Sequence, residues 1–129
     1  MDIQRPQNDE LPPALRQIAE RFVAARRAGS ALSAFPGALP DSLVDAYRVQ
    51  DAAIAAWPDR LVGWKVGFIA AERRDGSGDE RLLGPMFAGA LWNATGAIVE
   101  VPVFDGGFAA VEAEYVLRLD SDAPPDKLD

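Results

Sequence analysis

The stretch of this 129-residue chain that is predicted to organise its fold reads Phe108-Ala109-Ala110-Val111-Glu112-Ala113-Glu114-Tyr115-Val116-Leu117-Arg118-Leu119. Side chains of a β-strand point alternately to its two faces, so this pattern predicts a strand with one continuous apolar face. The apolar face is predicted to lie on the core, and it consists of Ala109, Val111, Ala113, Tyr115, Leu117 and Leu119. The opposite face presents two glutamates to one side of the strand.

Glu112 and Glu114 are next-but-one neighbours, about 6.5–7 Å apart along an extended strand. Glutamate is a poor strand former, and a partly buried pair either raises one pKa or holds a cation between its members. A divalent cation is the favoured interpretation. The alternative is a solvated strand face with Arg118 as the surface partner of the glutamates. The apolar neighbours Phe108 and Val116 on the same face favour a pocket floor.

The composition restricts the chemistry of any site. The chain contains no His and no Cys, so a metal must be held by oxygen ligands, which favours magnesium, manganese or calcium. Thirteen basic and twenty acidic residues give a net charge of −7, and the basic residues form no stripe, which argues against nucleic acid as a partner. A hydrophobic content of 49% supports a packed core. The sequence has no run of eighteen apolar residues and no leader pattern, so neither a membrane span nor export is expected. A cytoplasmic location is therefore predicted.

Three regions follow one another along the chain. Residues 1–11 are polar and aperiodic and are predicted to form a flexible arm. Residues 12–60 form a helical region, in which the first helix begins at Pro12 or Pro13 and stops at Gly29. The second helix is capped by Asp41 or Ser42 and ends before Pro58. Its inward stripe is predicted to consist of Leu43, Ala46, Tyr47, Gln50, Ala53, Ile54 and Trp57.

The strands are predicted to lie in residues 61–129. The run that begins at Leu61 reads as a strand, with a bulge or a close backbone approach at Gly63 or Gly67. Residues 72–81 read as a charged loop and 82–92 as a buried turn with a short strand. Residues 97–104 read as an edge strand that leads through a turn into the glutamate strand.

Lys65 lies inside the first of these strands, between Trp64 and Val66. It is one of only two lysines in the chain. One interpretation is a snorkelling side chain on an edge strand. The other is a compact cation that projects into a site and meets an anionic ligand. If the two glutamates face the same pocket, Lys65 is expected to pair with one of them in the absence of ligand.

Several short segments in the same order resemble the 2-keto-4-pentenoate hydratase branch of the fumarylacetoacetate hydrolase family. The matching segments are Asp45-Ala46-Tyr47-Arg48-Val49-Gln50, Gly63-Trp64-Lys65-Val66-Gly67, Gly84-Pro85-Met86, Gly89-Ala90-Leu91 and Val111-Glu112-Ala113-Glu114. The resemblance runs from about the first helix to the last residue. It implies an α+β fold in which N-terminal helices precede the strands of a mixed β-roll.

The resemblance also implies a site. Members of that family bind Mg²⁺ or Mn²⁺ through three carboxylates, the first two of which correspond to Glu112 and Glu114. The third would follow a helix beyond Asp129, so the chain is expected to be an N-terminal portion of the β-roll protein. Lys65 corresponds to a catalytic and substrate-binding residue. Gly67, Gly84 and Pro85 lie in the motifs expected to line the substrate.

The activity implied by the resemblance is that of a lyase in the breakdown of aromatic compounds. It adds water to a 2-hydroxy-2,4-dienoate, such as 2-hydroxypenta-2,4-dienoate, and gives a 4-hydroxy-2-oxo acid. A metal-dependent 2-oxo acid decarboxylase and an acylpyruvate-type C–C hydrolase of the same family are alternatives. A non-catalytic interaction domain is the alternative from another class. A homo-oligomer is the expected assembly.

Overall fold

Two helices and one hairpin make up the regular structure of residues 11–120, which are the residues that the computed structural model describes. Helix α1 spans Pro13–Ala28 and helix α2 spans Leu43–Ala56. Strand β1 spans Leu61–Phe68, and strand β2 spans Arg81–Phe87. This part of the chain is therefore a small α+β unit. The predicted arm lies, except for its last residue, outside the described residues.

Both helices begin and end where the sequence predicted. Helix α1 has a proline in its first turn, where the missing N–H costs no hydrogen bond. It ends at Gly29, whose φ of 65° lies in the left-handed region that glycine adopts without strain. At the start of α2 the Ser42 hydroxyl accepts a hydrogen bond from the Asp45 N–H at 3.1 Å. Serine is a favoured N-terminal cap for this reason.

The core lies where α1 crosses α2. Ile18 and Ala19 of α1 pack with Val49 of α2, and all three side chains are buried. Gly37, in the loop between the helices, comes so close to Ile18 that an added Cβ would lie 2.8 Å from its Cγ1 atom. A glycine at this position therefore allows the loop to close over the core.

Strands β1 and β2 form an antiparallel pair with a register irregularity between Leu61 and Gly63, as predicted for a glycine-containing strand. A short 3-10 turn, Ala71–Arg73, opens the charged loop between the strands, and a second, Ala88–Ala90, follows β2. Phe87 at the end of β2 is 3% exposed and packs against Trp57, which follows α2. This contact joins the hairpin to the helices.

The strand predictions for 97–104 and 108–119 were wrong. Neither stretch forms a strand, and the side chains of the expected core face are exposed, with Val111 and Tyr115 fully so. The backbone groups of both stretches lack the ladder partner that a strand needs, since the one sheet of the described residues consists of β1 and β2 alone. In this region Asp105 alone makes a β-bridge, to Ser30 after α1. The described residues therefore contain one two-stranded sheet.

Candidate functional site

Lys65, Glu112 and Glu114 meet on one side of the hairpin. Lys65 projects from the middle of β1, and its ammonium donates a hydrogen bond to Oε1 of Glu114. The same Nζ atom lies 3.6 Å from Oε2 of Glu112. The predicted pairing of Lys65 with one of the glutamates is thus present, and the ammonium lies close to the second one as well. It joins two sequence motifs that are 47 residues apart, counted from Lys65 to Glu112.

The electrostatics of this cluster favour the charged lysine. The hydrogen bond to Glu114 raises the pKa of Lys65 above its usual value, and the negative charges of both glutamates add to the effect. Lys65 is therefore an ammonium at neutral pH. Since its side chain is 46% exposed, it remains accessible to a ligand that approaches from solvent.

The glutamates lie on the same side of their segment, as the alternation predicted, but they do not lie on a pocket floor. The side chain of Glu112 is 70% exposed and that of Glu114 is 47% exposed. Phe108 and Val116, the apolar neighbours that favoured a pocket, are themselves exposed. The site is an open surface cluster in which the Lys65 ammonium brings two carboxylates together.

The donor set suits Mg²⁺ or Mn²⁺. Two carboxylates that turn towards one cation offer hard oxygen ligands, and Mg²⁺ is commonly held by one or two carboxylates together with waters and substrate. Within residues 11–120 no third acidic side chain joins them in a cluster able to hold a metal. Glu112 and Glu114 would therefore be the metal ligands from this part of the chain.

The glycines expected at the substrate lie beside Lys65, whereas the proline does not. Lys65 is directly opposite Gly84 in the strand pairing, so these residues share a face of the hairpin. Apart from its two neighbours in the chain, no residue has an atom within 4 Å of the place where a Gly84 side chain would begin, which leaves open space next to the ammonium. Gly67 lies two residues along β1 on the same face. Pro85 pairs with Trp64 and lies on the opposite face.

An open groove of about 1450 Å³ runs between the helices and the other face of the hairpin. Its lining is largely apolar and includes Phe22, Trp57, Phe68, Pro85 and Phe87. Lys65, Glu112 and Glu114 are not part of this lining. This groove and the charged cluster are therefore separate features.

Two residues that position the site were not identified as such from the sequence. The Tyr47 hydroxyl accepts a hydrogen bond from the Leu83 N–H at 3.0 Å, and Gln50 Nε2 donates to the Leu83 carbonyl at 2.7 Å. Both side chains come from α2 and hold β2, the partner strand of Lys65. The sequence did contain a signal for this role, namely two polar side chains, three residues apart, in the predicted inward stripe of the helix.

Comparison of the chain with known proteins found no matching family model, no similar curated protein and no similar solved structure.

The described residues contain no helix that is both long enough and apolar enough to cross a bilayer.

Proposed function

We propose that this chain contributes the lysine and two metal-binding glutamates of a hydratase that acts on 2-hydroxy-2,4-dienoates. The observation that supports this most directly is the contact of one ammonium with two carboxylates, in segments that resemble the lysine and metal motifs of the hydratases. The reaction adds water across the distal double bond, so 2-hydroxypenta-2,4-dienoate and water give 4-hydroxy-2-oxopentanoate. The protein is proposed to act in the cytoplasm as a homo-oligomer.

Each residue has a proposed task. Glu112 and Glu114 hold the divalent cation. When bound, Mg²⁺ or Mn²⁺ supplies positive charge that stabilises negative charge on the C2 oxygen of the substrate. Lys65 leaves its glutamate partners to bind the substrate carboxylate or the C2 oxygen, and it donates a proton or a compact positive charge there. The space at Gly84 admits the substrate next to this ammonium, whereas the position of a Gly67 side chain is already filled by Leu82, 3.2 Å away.

The experiment is a hydratase assay of the full chain with Mg²⁺ or Mn²⁺, in which the loss of the conjugated diene absorbance is followed. Lys65→Met is expected to lower kcat by roughly 10²- to 10⁴-fold, the usual contribution of a positioned proton donor. Arg73→Met is the matched control, because Arg73 is exposed in a 3-10 turn and contacts neither glutamate within the described residues. Equal activity of the wild type and Lys65→Met would contradict the assignment of Lys65.

The product separates hydration from the other reactions proposed for the family. Release of carbon dioxide from a 2-oxo acid would identify a decarboxylase, and cleavage of an acylpyruvate into two acids would identify a C–C hydrolase. Each of these also uses the two glutamates and a divalent cation. A preparation that forms 4-hydroxy-2-oxopentanoate without either side reaction would support the hydratase.

A second candidate function is a non-catalytic interaction domain. The observation that favours it is the exposure of apolar side chains along 108–119, where Phe108, Val111, Tyr115 and Leu117 are each at least 88% exposed. Apolar surface of this kind is typical of sites that bind another protein. Self-association without turnover on any of the three substrate classes would support this candidate.

A further inference from the structure

The Glu112/Glu114 pair already has a cation in the described structure, namely the Lys65 ammonium. One nitrogen atom contacts an oxygen of each glutamate, so the lysine lies where a shared divalent ion would have to lie. Divalent ions approach carboxylate oxygens to about 2.0–2.6 Å. A metal bound to both oxygens would therefore stand within a few ångströms of Nζ, and two cations at that distance repel each other.

The same contacts are also the polar links between segment 108–119 and the hairpin. Within the described residues, no other hydrogen bond or ion pair joins this segment to β1 or β2. Lys65 thus holds the two carboxylates next to the sheet. A metal ion that replaced the Lys65 ammonium would have to bind both carboxylates in its place.

The lysine is able to leave. Its side chain is 46% exposed and ends in a flexible four-carbon stem, and no aromatic ring or carbonyl oxygen in the described part of the chain contacts its ammonium. The neighbouring Gly84 leaves open space on the same face of the hairpin. Rotation of the stem away from the glutamates therefore meets no packed neighbour at that position.

We propose that the Lys65 ammonium and a divalent cation exclude one another from the Glu112/Glu114 pair, so that Lys65 is an internal counter-ion that the metal displaces. This inference rests on the proposed function, since it assumes that both glutamates bind metal. The new element of the inference is that metal binding breaks the ion pairs of Lys65 with the two glutamates. The residue that meets the substrate would then become available only after the cation has bound.

The test is a titration of the metal-free full chain with Mn²⁺, in which free Mn²⁺ is measured by electron paramagnetic resonance. Lys65→Met removes the competing cation and is expected to lower the Kd for Mn²⁺ about three- to tenfold, the range that two exposed ion pairs provide. Lys65→Arg keeps the charge and is expected to stay within about twofold of the wild type. Arg73→Met removes a charge elsewhere and controls for net charge. Circular dichroism establishes that each variant keeps the helix content of the wild type.

A second measurement follows the lysine itself. Acetylation by a limiting reagent is quantified at Lys65 by mass spectrometry, with Lys127, the only other lysine, as the internal reference. Saturating Mg²⁺ is expected to raise the rate at Lys65 severalfold relative to Lys127, because the ammonium loses its carboxylate partners. An unchanged ratio would overturn the displacement.

The outcomes separate this inference from the proposed function. If the wild type binds Mn²⁺ and Lys65→Met binds it equally or more weakly, the exclusion is refuted while the metal site stands. If neither protein binds Mn²⁺, the metal site of the proposed function fails together with the inference. If Lys65→Met binds Mn²⁺ more tightly and turns over more slowly, both are supported, since the two effects have opposite signs.

Discussion

Tyr47 of α2 and Leu83 of β2 are joined by a hydrogen bond of 3.0 Å from the Leu83 N–H to the tyrosine hydroxyl. Because the Leu83 carbonyl accepts from Gln50, both backbone groups of this residue are satisfied by α2. These groups point away from β1, so the helix covers the outer edge of β2 at this residue. One turn of α2 thus adds to the Phe87–Trp57 contact in holding the hairpin that carries Lys65 against the helices.

Replacement of Tyr47 by phenylalanine is expected to lower the free energy of unfolding by about 0.5–1.5 kcal/mol, because the Leu83 N–H loses its partner. Urea denaturation followed by circular dichroism measures the change. Tyr115→Phe is the matched control, since Tyr115 is the only other tyrosine and is fully exposed. Equal effects of the two substitutions would show that the contact does not stabilise the fold.

Ile18 is 2% exposed at the centre of the helix pair. Ile18→Val removes one methylene group from this packing and is expected to destabilise the protein by about 0.5–1.5 kcal/mol. Ile98→Val is chemically identical at a position that is 99% exposed, and it is expected to have no measurable effect. Thermal unfolding of both variants compares them. A similar loss at the two positions would contradict the assignment of the core to the helix pair.

Asp75 joins the charged loop to the start of α2, because its carboxylate accepts a hydrogen bond from the Leu43 N–H at 2.8 Å. Hydrogen bonds from Ser77 and from the Leu43 backbone lower the pKa of Asp75 to about 2. A carboxyl group whose pKa is depressed in the folded state stabilises the fold above its unfolded pKa, and this contribution disappears as the pH falls towards about 2.

The stability difference between wild type and Asp75→Ala is therefore expected to be constant above about pH 4.5 and to shrink as the pH falls from about 4 to about 2. Denaturant titrations at several pH values measure this difference. Carboxyl chemical shifts of Asp75 report its titration directly. A titration midpoint of Asp75 near pH 4 in the folded protein would contradict the hydrogen bonds that its carboxylate accepts from Ser77 and Leu43.

Leu117 lies in the exposed segment 108–119 and is 88% exposed. The apolar surface of this segment is expected to make the chain associate as its concentration rises, and Leu117→Ser is expected to weaken that association. Leu39→Ser provides the comparison, since Leu39 is 72% exposed in a loop between the helices. Light scattering that finds only a 13.8 kDa species at every concentration would argue against this expectation.

The helices were predictable from local signals because their ends depend on residues nearby in the sequence. Pro13 opens α1, Gly29 closes it, and Ser42 caps α2, each through a contact within a few residues. The strand at 108–119 was not predictable in this way. An alternating pattern specifies which side chains share a face, but a strand also needs a neighbour for its backbone groups, and the sequence of the segment does not provide one.

The candidate site shows the same division. Alternation correctly predicted that Glu112 and Glu114 point to one side, and the unusual position of Lys65 indicated a charged partner. The exposure of the two glutamate side chains could not be inferred from the sequence, because it depends on which other part of the protein covers segment 108–119. The contribution of Tyr47 and Gln50 was also missed, since a hydrogen bond to the backbone of Leu83 leaves no mark on the sequence of β2.

The bridge between Ser30 and Asp105 bears on the order in which the chain folds. The backbone carbonyl of Asp105 accepts a hydrogen bond from the Ala31 N–H at 2.9 Å, and the Asp105 N–H donates one to the Gly29 carbonyl at 2.8 Å. The helix pair and the hairpin form from neighbouring segments, whereas this bridge closes a loop of roughly 75 residues and has a larger entropic cost of closure. It is therefore expected to form late. Since it lies just before 108–119, we expect the glutamates to reach Lys65 only in the last steps of folding.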